Sequence, residues 1–139
     1  MDLRRSALAC FVVAVTALVA AFPAAGKEGV RATLTTRVPL TAPAGTTLRI
    51  AWTLGYRDER GSRHPFGGGG VFVRLLSASG ASAKTAFARG TTGRYAATVR
   101  VPTGGIRAIQ IGIRSWSSGP TGTQRADWLF PITNNPIRR

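Results

Sequence analysis

The strongest constraint on the fold is a two-residue alternation of apolar and polar side chains between Gly93 and Arg114. In its first half, one face is apolar and the other is polar or small: Tyr95, Ala97, Val99 and Val101 against Arg94, Ala96, Thr98 and Arg100. After a turn at 102–105 the pattern resumes, with Ile109, Ile111 and Ile113 against Gln110, Gly112 and Arg114. A period of two is that of a β-strand with one buried and one hydrated face. The stretch therefore predicts an antiparallel hairpin of two half-buried strands, and with it a β-sheet protein that has a hydrophobic core.

The same alternation recurs along the chain. Further strands are predicted over 29–39, 46–56, 71–77, 85–89 and 126–132, with Gly- and Pro-containing turns between them. The inward positions predicted there include Leu48, Ile50, Trp52, Leu54, Tyr56, Phe87, Trp128, Phe130 and Ile132. Segments 57–70 and 117–122 are predicted loops, and no helical period follows Gly26. Seven short strands favour an all-β, two-sheet antiparallel sandwich with an immunoglobulin-like or fibronectin-like layout, and a small closed barrel is the alternative.

Residues 1–26 have the layout of a secretory signal peptide. A basic start is followed by an uncharged, mostly apolar run from Ser6, then by Pro23 and the small residues at 24–26. This order predicts cleavage after Gly26, a single domain over 27–139, and a secreted or cell-envelope location. The alternative is an uncleaved anchor, because an uncharged stretch of this length can span about 30 Å of hydrocarbon. In that case the protein would be held at a membrane.

Cys10 is the only cysteine in the chain. The sequence Ala-Leu-Ala-Cys at 7–10 faintly resembles a lipidation signal, but it follows Arg5 by only five residues and so has too short an apolar segment before it. If the leader is removed, the mature domain has no thiol. A disulfide, a thiolate metal site and a cysteine nucleophile are then all excluded, and stability must come from packing.

The net charge is strongly positive. The whole chain has 19 basic and 5 acidic residues, and the leader contains Arg4, Arg5 and Asp2, so the 113 residues that follow it have 17 basic and 4 acidic side chains, or +13. The summed field of such a domain attracts polyanions. In an exported protein this favours an anionic cell-envelope polymer or an unidentified protein as the partner. Nucleic acid is not expected, since the chain has no basic strand interleaved with aromatic residues.

One stretch resembles a known group of domains. Residues 93–105 have the pattern Gly-x-Tyr-x-Ala-x-Val-x-Val-Pro-x-Gly-Gly. This pattern looks like the end of small exported immunoglobulin-fold domains of the YtkA-like and FixH-like kind. Those domains often have Trp after the Gly turn, where this chain has Ile106. The segments 70–80 and 87–90 are similar to uncharacterised small exported β-sandwich proteins of GC-rich bacteria. The resemblance implies an exported sandwich domain and suggests an accessory role in a membrane or metal-handling complex as the alternative function. Tyr95 also fits a tyrosine corner, with its hydroxyl bonded to the backbone of the preceding turn.

The residues available for chemistry are few. Asp58, Glu59 and His64 share one loop and belong to the types that bind zinc or copper. Arginines are interleaved with them and no second histidine is present, so a solvated turn is expected and no metal or cofactor is predicted. His64 would also be the sole candidate base, and no strained nucleophile turn precedes a helix, so we expect the protein not to be an enzyme. The glycines at 67–70 lead into a strand, whereas a phosphate loop leads into a helix.

Two surfaces remain as candidates for binding. In an immunoglobulin layout the loops at 57–70 and 115–125 lie at the same end, which would bring His64, Phe66 and Trp116 onto one rim. Trp116 is expected either to cover the end of the sandwich or to be an exposed anchor. The second surface consists of outward arginines on predicted strands that share one sheet: Arg31, Arg37, Arg49, Arg94 and Arg100. They suit phosphate or carboxylate polymers, or else they form a solvated face that prevents edge aggregation.

Overall fold

The computed structural model describes residues 29–80, 82–134 and 137–138. The predicted leader, with Cys10 and its boundary at Gly26, lies outside these residues, as does the start of the domain at Lys27. Within the described part of the chain all regular secondary structure is β-strand, which confirms the all-β prediction. None of these residues forms a helix that could cross a membrane.

Two antiparallel sheets make up the body of the protein. Sheet 1 contains β1 (Arg31–Leu34), β3 (Thr47–Arg57), β4 (Arg63–Pro65) and β7 (Arg94–Arg100). Sheet 2 contains, in spatial order, β6 (Ala83–Phe87), β5 (Val71–Leu76), β8 (Ala108–Gly119) and β9 (Gly122–Phe130). The short strands β2 (Val38–Pro39) and β10 (Ile137–Arg138) form a separate parallel pair.

The longest strand of sheet 1 organises that sheet. β3 pairs with β1 along one edge, and along the other edge it pairs first with β7 and then with β4. Its apolar side chains alternate with polar or small ones, so one face packs inward and the other faces solvent. In sheet 2, β5 is central, as its evenly apolar sequence predicted, and both of its faces are covered.

The inner faces of the two sheets enclose one core. Its members come from both sheets and include Val30, Leu34, Ile50, Trp52, Leu54, Val71, Val73, Leu75, Tyr95, Val99, Ile111, Ile113 and Phe130. The division of strands, with β1, β3 and β7 on one side and β5, β8 and β9 on the other, is that of an immunoglobulin-like or fibronectin-like sandwich. The predicted fold class is therefore confirmed.

The predicted hairpin between the two halves of 93–114 is wrong. β7 pairs with β3 in sheet 1, whereas β8 pairs with β5 and β9 in sheet 2. The alternation shows only that each strand has one face on the core, and it does not identify the neighbouring strand. Val101, Pro102 and Ile106 are buried in the connection, which carries the chain from one sheet to the other beneath the core.

The predicted loop at 117–122 is part of a hairpin instead. β8 and β9 pair continuously from Ile111 and Phe130 to Gly119 and Gly122, and only Pro120 and Thr121 turn the chain. β5 accompanies β8 only as far as Ile113, so the hairpin beyond that point projects from the sandwich. We call residues 114–127 the hairpin arm. Ser and Thr are as compatible with a two-stranded ribbon as with a loop, which explains why composition did not reveal it.

Phe87 and Trp128 are less buried than predicted. Phe87 lies opposite Phe72 on the outer face of sheet 2 and is 51% exposed. The side chains of β6 that were expected to point inward therefore point outward. Trp128 is 44% exposed on the edge strand β9. Phe72 is nevertheless fully buried on this outer face, where the Phe87 ring and the guanidinium groups of Arg74 and Arg114 cover it.

Tyr95 anchors a loop, although not the loop that was predicted. Its hydroxyl donates to the Phe66 carbonyl at 2.9 Å and accepts from the Gly68 N–H at 3.2 Å. These partners belong to the connection between β3 and β5, not to the turn just before β7. The bonds hold that connection against sheet 1 at the end of the sandwich from which the hairpin arm projects.

Candidate functional site

Sheet 1 presents the predicted arginines to solvent. The positions on β1, β3 and β7 are exposed and point away from the core: Arg31, Arg49, Arg94 and Arg100. Arg37 is also exposed and lies between β1 and β2, directly after Thr36. The Thr36 hydroxyl accepts a hydrogen bond from the Ala51 N–H of β3 at 2.9 Å, which places Arg37 at the edge of the same sheet. We call these five residues the basic face.

The strand register spreads the positive charges across the basic face. Arg49 lies opposite Thr98, Arg94 opposite Thr53, and Arg100 opposite Thr47. Where β3 pairs with β7, no arginine lies directly opposite another, which avoids the closest like-charge pairs within the basic face. The charges share one surface and are separated by small hydroxyl-bearing side chains.

The basic face has no acidic partner among the described residues. The three described carboxylates are those of Asp58, Glu59 and Asp127, and none forms an ion pair with an arginine of this face. Asp58 is bonded within its own loop, and Asp127 lies in sheet 2. No carboxylate of the described residues therefore neutralises the positive potential over the outer surface of sheet 1.

A sixth arginine extends the basic face beyond the prediction. Arg89 follows β6 and forms an isolated bridge with Ala96 of β7, so its side chain shares the outward face of Ala96. Arg49 and Arg89 line an open groove of about 510 Å³ together with Phe87, Ala96, Ala97 and Thr98. The inward position predicted for Phe87 would put Arg89, two residues later, on the same inward side, which is why the alternation did not identify Arg89.

The predicted rim residues lie at one end of the sandwich but do not form one cluster. The Arg114 N–H at the base of the hairpin arm donates to the Gly70 carbonyl at 2.8 Å, so the 57–70 connection and the arm are adjacent. His64 stacks on Tyr56 at 5.3 Å, and the half-buried Phe66 packs edge-on against Phe130 at 5.6 Å. Trp116 projects from the arm with 66% of its surface exposed, so it does not cover the core.

Asp58 and His64 form a local pair that orders their loop. His64 Nε2 lies 2.8 Å from Asp58 Oδ2, and Asp58 Oδ1 accepts hydrogen bonds from the N–H groups of Arg60 and Ser62. The bond to His64, together with that from Ser62, lowers the pKa of the Asp58 carboxyl. No group of three or more His, Cys, Asp or Glu side chains with metal-site geometry occurs in the described part of the chain.

The alternation also did not predict an ion cluster on the outer face of sheet 2. Asp127 accepts from Arg74 Nη2 at 2.6 Å and from Arg114 Nε at 2.9 Å, and Arg125 Nε lies 3.9 Å away. The hydrogen bond from Arg114 is the main cause that lowers the Asp127 pKa far below its usual value. A hairpin turn at Pro120 and Thr121 brings Arg114 opposite Asp127, so locating that turn in the sequence would have predicted this pair.

The outer faces of the two sheets thus differ in chemistry. Sheet 2 neutralises part of its charge internally, through the carboxylate of Asp127, and uses the paired guanidinium groups to cover Phe72. Sheet 1 presents guanidinium groups that no described carboxylate engages, beside an open groove. Comparisons with protein-family models, with curated proteins and with solved structures found no match to the chain.

Proposed function

We propose that the protein is a secreted, non-enzymatic binding domain that engages anionic cell-envelope polymers through the basic face. The observation that carries the proposal is the presence of exposed arginines on one sheet surface without an acidic partner among the described residues. Guanidinium groups bind phosphate and carboxylate in a planar, two-pronged geometry. An extended polyanion offers many such groups at once and suits an extended surface better than an enclosed cavity.

The sequence before the described residues supports an exported location. Its basic start, apolar run and small residues at 24–26 follow the order of a secretory signal. Outside the cytoplasm, phosphate- and carboxylate-bearing polymers are the abundant polyanions that a domain of this charge would meet. A stable sandwich with a continuous core is a suitable scaffold for a binding surface of this kind.

Retention on an immobilised poly(glycerol phosphate) column tests the proposal. The variant Arg31→Glu/Arg100→Glu reverses two charges on the basic face, and Arg60→Glu/Arg107→Glu reverses two exposed charges away from it. We expect the first variant to elute at much lower salt than the second, because charges on the contact surface act at short range, where screening is least complete. The wild-type protein should lose most of its retention as ionic strength rises and the screening length falls to about 8 Å.

Both variants should remain folded, since exposed strand and loop positions contribute little to stability. Urea unfolding of each variant checks this. If the two pairs reduce retention equally, binding depends only on net charge, and the basic face is a solvated surface without a specific role.

A further inference from the structure

The groove beside β7 combines two arginines, neither of them paired with a described carboxylate, with a floor of small residues. Arg49 on β3 and the bridge residue Arg89 stand on opposite sides of β7, and Ala96 and Thr98 lie between them. Neighbouring strands are about 4.8 Å apart, so arginine side chains from the two sides can reach the same point above the floor. A larger side chain at either floor position would fill that space.

The electrostatics of this arrangement favour an anion. No described carboxylate pairs with Arg49 or Arg89. Two guanidinium groups that face one groove repel each other, and a bound anion between them converts that repulsion into two attractions. The groove is therefore more favourable for an anion than an isolated arginine elsewhere on the surface.

Neutral donors are also available in the groove. Thr98 lies directly opposite Arg49, so its hydroxyl is on the same face. Ala96 exchanges backbone hydrogen bonds with Arg89 at 2.8 and 3.0 Å. Because N–H direction alternates along a strand, the Thr98 N–H points to the same edge, where no described residue pairs with it. Donors thus approach from both sides and from the floor, which suits the several acceptor oxygens of phosphate.

An apolar wall completes the groove. Phe87 is 51% exposed and lines the groove two residues before Arg89. Its ring packs against Phe72, so it has a fixed support. A ring in this position contacts the carbon skeleton next to a bound phosphate, which free inorganic phosphate lacks.

We infer that the groove between Arg49 and Arg89 binds one phosphodiester unit of an anionic polymer, with Thr98 as a neutral donor and Phe87 against the carbon chain of the unit. The inference rests on the proposed function and names the substrate class and the specific contact within the basic face. The rest of the face contacts the neighbouring units of a longer polymer.

Titration with a short glycerol phosphate oligomer near physiological ionic strength tests this inference by calorimetry. The variant Arg49→Gln/Arg89→Gln removes the groove cations, and Arg31→Gln/Arg94→Gln removes the same charge from the same face outside the groove. We expect the groove variant to bind about tenfold or more weakly, as the loss of a charged hydrogen bond implies, and the matched variant to change by about twofold or less. Thr98→Val should weaken binding a few-fold without a change in charge.

Inorganic phosphate and Phe87→Ser distinguish the polymer unit from free phosphate. The oligomer should bind the wild type more tightly than inorganic phosphate does, and Phe87→Ser should remove that difference. Equal binding of the two ligands would assign the groove to free phosphate and overturn the inference, and so would equal losses in the two arginine pairs. Oligomer binding in the groove without retention on the long polymer would contradict the proposed function instead.

Discussion

Two tryptophans lie at opposite extremes of exposure, and the difference shows which one supports the fold. Trp52 is 1% exposed and stacks on Tyr95 with ring centroids 6.2 Å apart. Its Nε1 has no hydrogen-bond partner among the described residues, which carries a desolvation cost. The large packed area of the indole must outweigh that cost. Trp116, on the hairpin arm, has most of its surface in solvent.

We predict a large difference in stability between the alanine variants of these residues. Trp52→Ala should lower the free energy of unfolding by roughly 3–5 kcal/mol, because it leaves a cavity in the core. That is a large share of the roughly 5–15 kcal/mol total expected for a small domain. Trp116→Ala should change it by less than about 1 kcal/mol. Urea unfolding measures both, and equal losses would show that Trp116 packs into the fold.

At the scale of single residues, the sequence largely predicted to which face of a sheet a side chain points. It did not predict how exposed the side chains at strand ends are. The alternation correctly assigned inward positions in the middle of β3 and in β7, including Trp52 and Tyr95, whereas Tyr56 near the end of β3 is 39% exposed. It failed for Phe87, which lies on the short edge strand β6. In such a strand, a shift of the pattern by one residue moves every side chain to the opposite face of the sheet. Arg89 was missed for the same reason, although it lines the groove.

At the scale of elements, the hairpin arm depends on an ion cluster at its base. Arg114 and Asp127 are cross-strand partners, and Arg74 of β5 reaches the same carboxylate. The cluster therefore joins three strands of sheet 2 and holds the guanidinium groups over Phe72. Hydrogen bonds from these guanidinium groups stabilise the ionised form of Asp127 and lower its pKa.

The lowered Asp127 pKa predicts a specific dependence of stability on pH. A carboxyl whose pKa is lower in the folded state contributes its full stabilisation above its unfolded pKa of about 3.9, and loses it as pH falls toward the folded pKa. The wild type should therefore be more stable than Asp127→Asn at pH 7, and the difference should shrink steadily below about pH 4. Glu59→Gln is the control, since the exposed Glu59 forms no ion pair with a described residue.

Chemical unfolding at a series of pH values measures this difference. A constant gap between wild type and Asp127→Asn from pH 7 to pH 2 would contradict the account, because it would attribute the effect of the substitution to packing and not to charge.

Which strands pair was harder to predict than where strands lie. The alternation marked β3, β5 and β7 close to their true bounds and the first half of β8, since each has one face or both against the core there. The same pattern does not distinguish a hairpin from a crossing between sheets, so β7 and β8 were paired wrongly. Recognising in the sequence that the chain turns at Pro120 and Thr121 would have revealed the hairpin arm and its ion cluster.

At the scale of the whole molecule, the outer faces of the two sheets differ in how their positive charge is balanced. The outer face of sheet 2 contains the Asp127 cluster, in which a carboxylate balances part of the positive charge. The outer face of sheet 1 contains the basic face and the groove, where no described carboxylate does so. The same net charge spread evenly would not favour one contact surface, whereas this distribution favours the binding of polyanions to sheet 1.

Backbone amide NMR shifts during titration with a phosphodiester polymer show directly whether polyanions bind sheet 1. We predict that the largest shifts fall on outward residues of sheet 1 near the groove, such as Ala51, Ala96 and Thr98, and that Leu129 on the outer face of sheet 2 stays unchanged. Shifts of equal size on both sheets, or shifts centred on the exposed loop arginines Arg60 and Arg107, would contradict it.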